Sequence, residues 1–69
     1  MLGFTIFGTD REVWINPLNV IAVQIANTSD KERTLLICGD NDENMYYVEG
    51  SARDNAVRID TVLHRWGRR

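Results

Sequence analysis

The segment that most constrains the fold covers residues 51–66, because it is the one stretch with clear amphipathic helical periodicity. Ser51 and Asp54 have the residue types and the spacing of an N-terminal capping box. Apolar residues then recur every three or four positions and form one stripe: Ala52, Ala56, Ile59, Leu63 and Trp66. We therefore expect one C-terminal helix whose apolar side needs a partner.

Short runs of β-branched and aromatic residues come before this helix and predict strands. These runs cover residues 4–7, 12–15, 20–26, 33–38 and 45–49, with polar turns between most of them. The expected fold class is α+β: an antiparallel β-meander of four to five short strands with one C-terminal α-helix packed on one face. At 69 residues the chain is expected to form a single domain, 1–69.

The run over residues 20–26 alternates large and small side chains. A period of two predicts Ile21, Val23 and Ile25 on the side of the helix. Before this run, Pro17 lacks a backbone donor and biases Asn16 to an extended geometry. We therefore expect Pro17 in a loop or at a sheet edge.

One helix of about sixteen residues spans roughly 24 Å and covers only one face of a small sheet. Adjacent apolar residues such as 6–7, 35–36 and 46–47 point to opposite faces, so both faces carry large apolar groups. A chain this short also buries only a small hydrophobic core and usually needs additional stabilisation. Cys38 is the only cysteine, so an intramolecular disulfide cannot provide it. We expect a homo-oligomer, and the candidate interface residues are Phe7, Trp14, Pro17, Leu36, Tyr46 and Tyr47.

Nothing in the sequence points to catalysis, and we expect neither an enzyme nor a cofactor. Cys38 lies in an apolar run, which favours a buried hydrophobe over a reactive thiol. His64 has no predictable catalytic partner, and one Cys with one His cannot form a structural zinc site. Residues 40–44 place oxygen-bearing side chains at alternate positions, as the start of an EF-hand calcium loop does. Met45 and Ser51, however, occupy the positions where that loop needs Gly and Glu. We predict no metal site.

Charge is unevenly distributed along the chain. Residues 1–50 hold three basic against eight acidic residues, a net charge of −5, whereas residues 51–69 hold five against two, a net charge of +3. Candidate anion contacts at the basic end are Arg65, Arg68 and Arg69. Cations also favour a helix C-terminus for purely local reasons, and the strands offer almost no basic residues. Nucleic acid binding is therefore disfavoured.

The first ten residues lack both a basic leader and a long apolar core. This predicts neither a signal peptide nor a membrane span. A free cysteine is typical of a reducing compartment, so we expect a cytoplasmic protein.

Several short motifs occur in a characteristic order. Residues 14–17 read Trp-Ile-Asn-Pro, residues 34–39 form an apolar strand that ends in Gly, and residues 47–51 read Tyr-Val-Glu-Gly-Ser before a helix with Ala56-Val57 and Ile59. This order resembles the small flagellar FlbD-type proteins, also called the SwrD family. The resemblance spans roughly residues 5–60 and implies a small flagellar accessory protein with no catalytic residue. The loops at 27–33 and 39–44 are longer here, and Gly50 intrudes before Ser51.

The sequence therefore supports three hypotheses. The first is a non-enzymatic interaction module of a bacterial or phage system that self-associates through its uncovered sheet face or edge, with an unidentified protein as a further partner. The second is a nucleic-acid-associated regulator that uses the basic helix and tail, since a meander plus a helix also broadly resembles the LytTR-type DNA-binding domain. The third is a small-ligand site between sheet and helix.

Overall fold

The computed structural model describes residues 1–39 and 44–67, and it describes side chains as far as Arg65. Its elements, in chain order, are β1 (Leu2–Thr5), β2 (Glu12–Ile15), a 3-10 helix (Pro17–Asn19), β3 (Val20–Ile25), β4 (Arg33–Cys38), β5 (Asn44–Glu49) and α1 (Ala52–Gly67). All strand pairs are antiparallel. The predicted α+β class is confirmed, with five short strands and one C-terminal helix.

The strands form two sheets instead of one continuous meander. β1 and β2 form a hairpin, and β3, β4 and β5 form a three-stranded sheet in that order. A bridge between Ile6 and Val48 joins the sheets, and next to it the Phe7 N–H donates to the Tyr47 carbonyl at 2.8 Å. The separation arises at Pro17, which has no N–H to donate and begins the 3-10 helix between β2 and β3.

The inner face of the three-stranded sheet forms the core. On β4 the side chains of Thr34, Leu36 and Cys38 are buried, while the residues between them are only half-buried. α1 contacts β3 and β4, and its Ile59 is buried against them. The buried hydrophobic residues are Phe4, Ile15, Leu36, Cys38, Val48 and Ile59. The hairpin therefore shares one core with the sheet and the helix.

Of the predicted helix-side row of β3, Val23 and Ile25 do lie on the inner face, opposite Leu36 and Thr34, but only Val23 is partly shielded from solvent. A β-bulge between Val20 and Ala22 shifts the register against β4, and Ile21 becomes exposed. Such a bulge adds one residue to a strand and so changes which face the residues around it occupy. Ile25 pairs with Thr34 on the inner face, as predicted, but it is exposed at the end of the edge strand. Val23 is half-buried opposite Leu36, as the alternation predicts.

The start of α1 agrees closely with its sequence signals. The Asp54 N–H donates to Ser51 Oγ at 3.0 Å, so Ser51 caps a helix that begins at Ala52. Between these two described residues, the reverse bond of a full capping box is absent. In the apolar stripe, Ile59 is buried and Leu63 is half-buried. The side chain of Trp66 lies outside the described residues.

A buried polar cluster fixes the first turn of α1 to the sheet. Asn55 Nδ2 donates to Thr34 Oγ1 at 2.8 Å and to the Glu49 carbonyl at 3.2 Å, and Thr34 Oγ1 donates to the Gly50 carbonyl at 2.9 Å. Both side chains are buried, and none of the buried side-chain polar atoms among the described residues lacks a partner. The sequence reasoning missed Asn55, because apolar periodicity ignores polar residues that fall beside the stripe.

The Asn55→Ala substitution is expected to lower the free energy of unfolding by about 1–3 kcal/mol, because it removes the donor to a buried hydroxyl and to a carbonyl. Chemical denaturation monitored by circular dichroism measures this loss. Thr61→Ala, at an exposed position of the same helix, is the control and should change stability by less than about 0.5 kcal/mol. Equal midpoints for the two variants would contradict a stabilising role for the cluster.

Ile59→Ala is expected to cost about 2–5 kcal/mol, since it empties space at the centre of the core. Val57→Ala, which truncates an exposed apolar residue two positions earlier, should cost less than about 0.5 kcal/mol in the isolated chain. Thermal or urea unfolding of both variants at low protein concentration measures the difference. A larger loss of stability for Val57→Ala than for Ile59→Ala would mean that the face of α1 with Val57, and not the face with Ile59, packs on the sheet.

Candidate interaction surfaces

The side of the three-stranded sheet that faces away from α1 is uncovered, and we call it the outer face. By the strand register its residues are Ala22, Gln24, Leu35, Ile37, Met45 and Tyr47, with the charged pair Arg33 and Glu49 at one end. Met45 and Tyr47 are 56% and 45% exposed, and Leu35 and Ile37 are half-buried. The outer face is therefore mainly apolar and open to solvent.

Arg33 brings two of the predicted interface residues together at the margin of the outer face. Its guanidinium lies 4.2 Å from the centre of the Tyr47 ring and 5.2 Å from that of Phe7. Its Nε donates to the Ala26 carbonyl at 2.5 Å, which holds the side chain in place. The attraction between the guanidinium and the two rings further stabilises this position of the side chain. The sequence reasoning missed Arg33, although its place two residues before Leu35 puts it on the same face.

A second uncovered apolar surface lies where α1 crosses the edge strand β3, and we call it the edge groove. It is an open concavity of about 480 Å³. Its apolar lining comes from both elements: Val20, Ile21, Ala22 and Val23 of β3, and Ala56, Val57, Ile59 and Leu63 of α1. Arg53 and Asp60 of α1 add one positive and one negative charge. The third hypothesis expected a site between sheet and helix without naming its residues, and the groove lies at such a place. The apolar stripe did not include Val57, because an exposed helix flank has much the same apolar period as a buried one.

Trp14 and Tyr46 line a smaller concavity of about 220 Å³ between the hairpin and the sheet. Trp14 is exposed, and its ring lies directly over Gly3, where an added Cβ would come within 2.9 Å of Trp14 Cζ2. Tyr46 is half-buried on the inner face opposite Leu36 and packs against the core. Of the adjacent tyrosines, therefore, Tyr47 is the one that the outer face presents.

Two of the predicted interface residues are interior residues of the monomer. Leu36 is fully buried under α1, because its place in the register is on the inner face, whereas Leu35 has the outward position. Pro17 is also fully buried, in the 3-10 helix that contacts α1. Neither side chain can meet a partner without disrupting the core. Phe7, Trp14 and Tyr47 remain accessible, and their contact role stays a prediction.

Of the three predicted anion contacts, the structure describes only one. Arg65 is exposed on α1, and Arg68 and Arg69 lie outside the described residues. Another helix cation is engaged within the chain, since Arg58 Nη2 donates to the Gly3 carbonyl at 2.9 Å and its guanidinium lies 4.7 Å from the centre of the Phe4 ring. This contact ties α1 to the hairpin. Part of the positive charge of α1 therefore has a structural role.

No group of three or more His, Cys, Asp or Glu side chains among residues 1–39 and 44–67 is arranged to hold a metal ion. Of the loop 40–44, which resembles the start of a calcium loop, residues 40–43 lie outside the described residues. His64 is exposed on α1. Cys38 is buried, and burial raises the pKa of its thiol above the ordinary value of 9.0, which favours the unreactive neutral form.

No helix in the described part of the chain is long and apolar enough to cross a membrane. Comparisons with protein-family models, curated proteins and solved structures find no match for this chain. The functional argument therefore depends on the geometry of the surfaces described above.

Cys38 is expected to resist a thiol reagent such as Ellman's reagent at neutral pH in the folded protein, because the sulfur is buried and stays protonated. The same reagent should label it rapidly in denaturant, which serves as the control. Labelling at equal rates in both conditions would show that the core around β4 is open. Since the pKa of the thiol is raised, reactivity in the folded state should begin to rise only above the pH at which the unfolded thiol ionises.

Proposed function

We propose that this protein is a non-enzymatic interaction module that self-associates through apolar surfaces which α1 leaves uncovered. The observation that carries the proposal is that α1 packs on the inner face, while Met45 and Tyr47 on the other side are about half exposed. Contiguous exposed apolar patches on small proteins mark contact surfaces more often than chance does. A module of this kind needs no catalytic group.

The size of the chain supports the same proposal. A domain of 69 residues buries a limited share of its surface, and one whose sheet is half covered buries less. Association of two or more copies adds the missing burial without a disulfide or a metal. Self-association also accounts for the large apolar side chains on the outer face, which a monomer would expose to water.

A nucleic-acid role has weaker support. The strand-bearing residues 1–50 carry a net charge of −5, which repels a phosphate backbone. Arg33 lies against two aromatic rings, and Arg58 is bound to the hairpin. These two arginines are therefore held by contacts within the chain, which weakens the case for a phosphate-binding face. Within our proposal, the resemblance to the flagellar family suggests that the module serves a larger bacterial assembly.

Light scattering coupled to size exclusion, run over a series of micromolar concentrations, tests the proposal. We expect a mass above that of the 7.9 kDa chain, rising with concentration. A monomer mass at every concentration would refute self-association. Retention on heparin at low salt with a monomer mass would instead favour the nucleic-acid alternative.

Met45→Lys probes the outer face separately, because it places a charge on an exposed apolar position of this surface. If copies meet there, the mass falls toward that of the monomer. Thr61→Lys is the matched control, since it adds the same charge at an exposed helix position that lines neither surface. An unchanged mass for Met45→Lys would exclude the outer face as the contact between copies and leave it free for another protein.

A further inference from the structure

The charged residues of the edge groove are arranged in a self-complementary way. Arg53 and Asp60 both line it, and they are seven positions apart on α1, about two helical turns or 10.5 Å. The positions between them that line the groove are apolar, namely Ala56, Val57 and Ile59. The groove therefore has a positive end, an apolar middle and a negative end.

From this pattern we infer that the edge groove binds the same groove of a second copy, with the two α1 helices antiparallel about a two-fold axis. Arg53 of each copy then faces Asp60 of its partner, which produces two equivalent ion pairs. The inference rests on the proposed self-association and specifies the surface that achieves it.

The position of the axis follows from the residue numbers. An antiparallel pairing of residue 53 with residue 60 has its centre between Ala56 and Val57. Ala56 has a small side chain that lets two helices approach closely, and Val57 is 55% exposed in the monomer. Two copies of Val57 would meet at the axis and bury each other. An isologous contact requires this kind of patch, which is complementary to itself.

The edge strand below α1 supports the same arrangement independently. β3 is hydrogen bonded on one side only within the described sheet, and its sequence VIAVQI contains no charged residue and no proline. Edge strands of monomers usually carry such residues, which prevent pairing with another chain. Ile21 and Ile25 are 65% and 75% exposed along this edge, although the bulge at Ile21 limits regular pairing to the residues after it. A second copy seated in the groove would cover Ile21, which lines it.

A second copy fits the groove better than an unrelated helix or a lipid surface. A lipid surface would need several cations on the rim, whereas the rim here has one charge of each sign. An unrelated helix would need matching charges of its own, while a copy of this chain already has them at the required spacing. The observed pattern thus selects this chain as its own partner.

Charge reversal tests the inference. Arg53→Glu and Asp60→Arg should each raise the dissociation constant of the homodimer by at least about tenfold, because each change places like charges opposite each other twice. An equimolar mixture of the two variants should recover the wild-type affinity, since both ion pairs are then attractive. The Arg53→Glu/Asp60→Arg double variant should also self-associate as the wild type does. Sedimentation velocity measures all four samples.

The outcomes separate this inference from the proposed function. Wild-type protein that is monomeric overturns both. Single variants that keep the wild-type affinity, or whose mixture fails to recover it, overturn the groove pairing and leave self-association through another surface. Since both residues are exposed, folding is expected to be unaffected, and circular dichroism with thermal unfolding checks this. Val57→Lys should also break the groove pairing, while Met45→Lys on the outer face should leave that pairing intact.

Discussion

The hydrogen bond from Asn55 to Thr34 decides which face of the three-stranded sheet is covered. A buried amide and a buried hydroxyl must be paired, and these two satisfy each other only when the first turn of α1 lies over the end of β4. Apolar contacts alone tolerate sliding and rotation of a helix on a sheet. The polar cluster does not, because any other placement leaves buried donors and acceptors without partners.

Once the first turn is fixed, the remaining contacts of α1 follow from its direction. Ile59 enters the core two turns after Ser51, and Arg58 reaches back to the hairpin carbonyl of Gly3. The hairpin itself is joined to the sheet by one bridge and by the Arg33 contacts with Phe7 and Tyr47. One helix therefore organises both sheets, and it does so at the cost of leaving the outer face and the β3 edge without cover.

The sequence predicted the elements better than their surfaces. The cap at Ser51, the strand β4 and the helix stripe are local signals, and local geometry alone produces them. The choice between Leu35 and Leu36, or between Tyr46 and Tyr47, depends on strand register, which adjacent apolar residues leave undetermined. The bulge at Ile21 and the buried Asn55 depend on contacts between distant segments, and no periodicity encodes them. The predicted interface residues therefore differ in their exposure. Trp14 and Tyr47 are exposed, whereas Leu36 and Pro17 are buried in the interior.

The packing of the Trp14 ring against Gly3 makes the residue tolerated at either position depend on the residue at the other. The ring can lie flat on the neighbouring strand only because position 3 has no side chain, and a Cβ there would approach the ring within 2.9 Å. An aromatic residue opposite a glycine protects the exposed backbone of that glycine from water. In any set of related sequences, the two positions should therefore vary together: a larger residue at position 3 should accompany the loss of the indole at position 14. Covariation between these two positions would identify related sequences that keep this hairpin even where the rest of the chain has diverged.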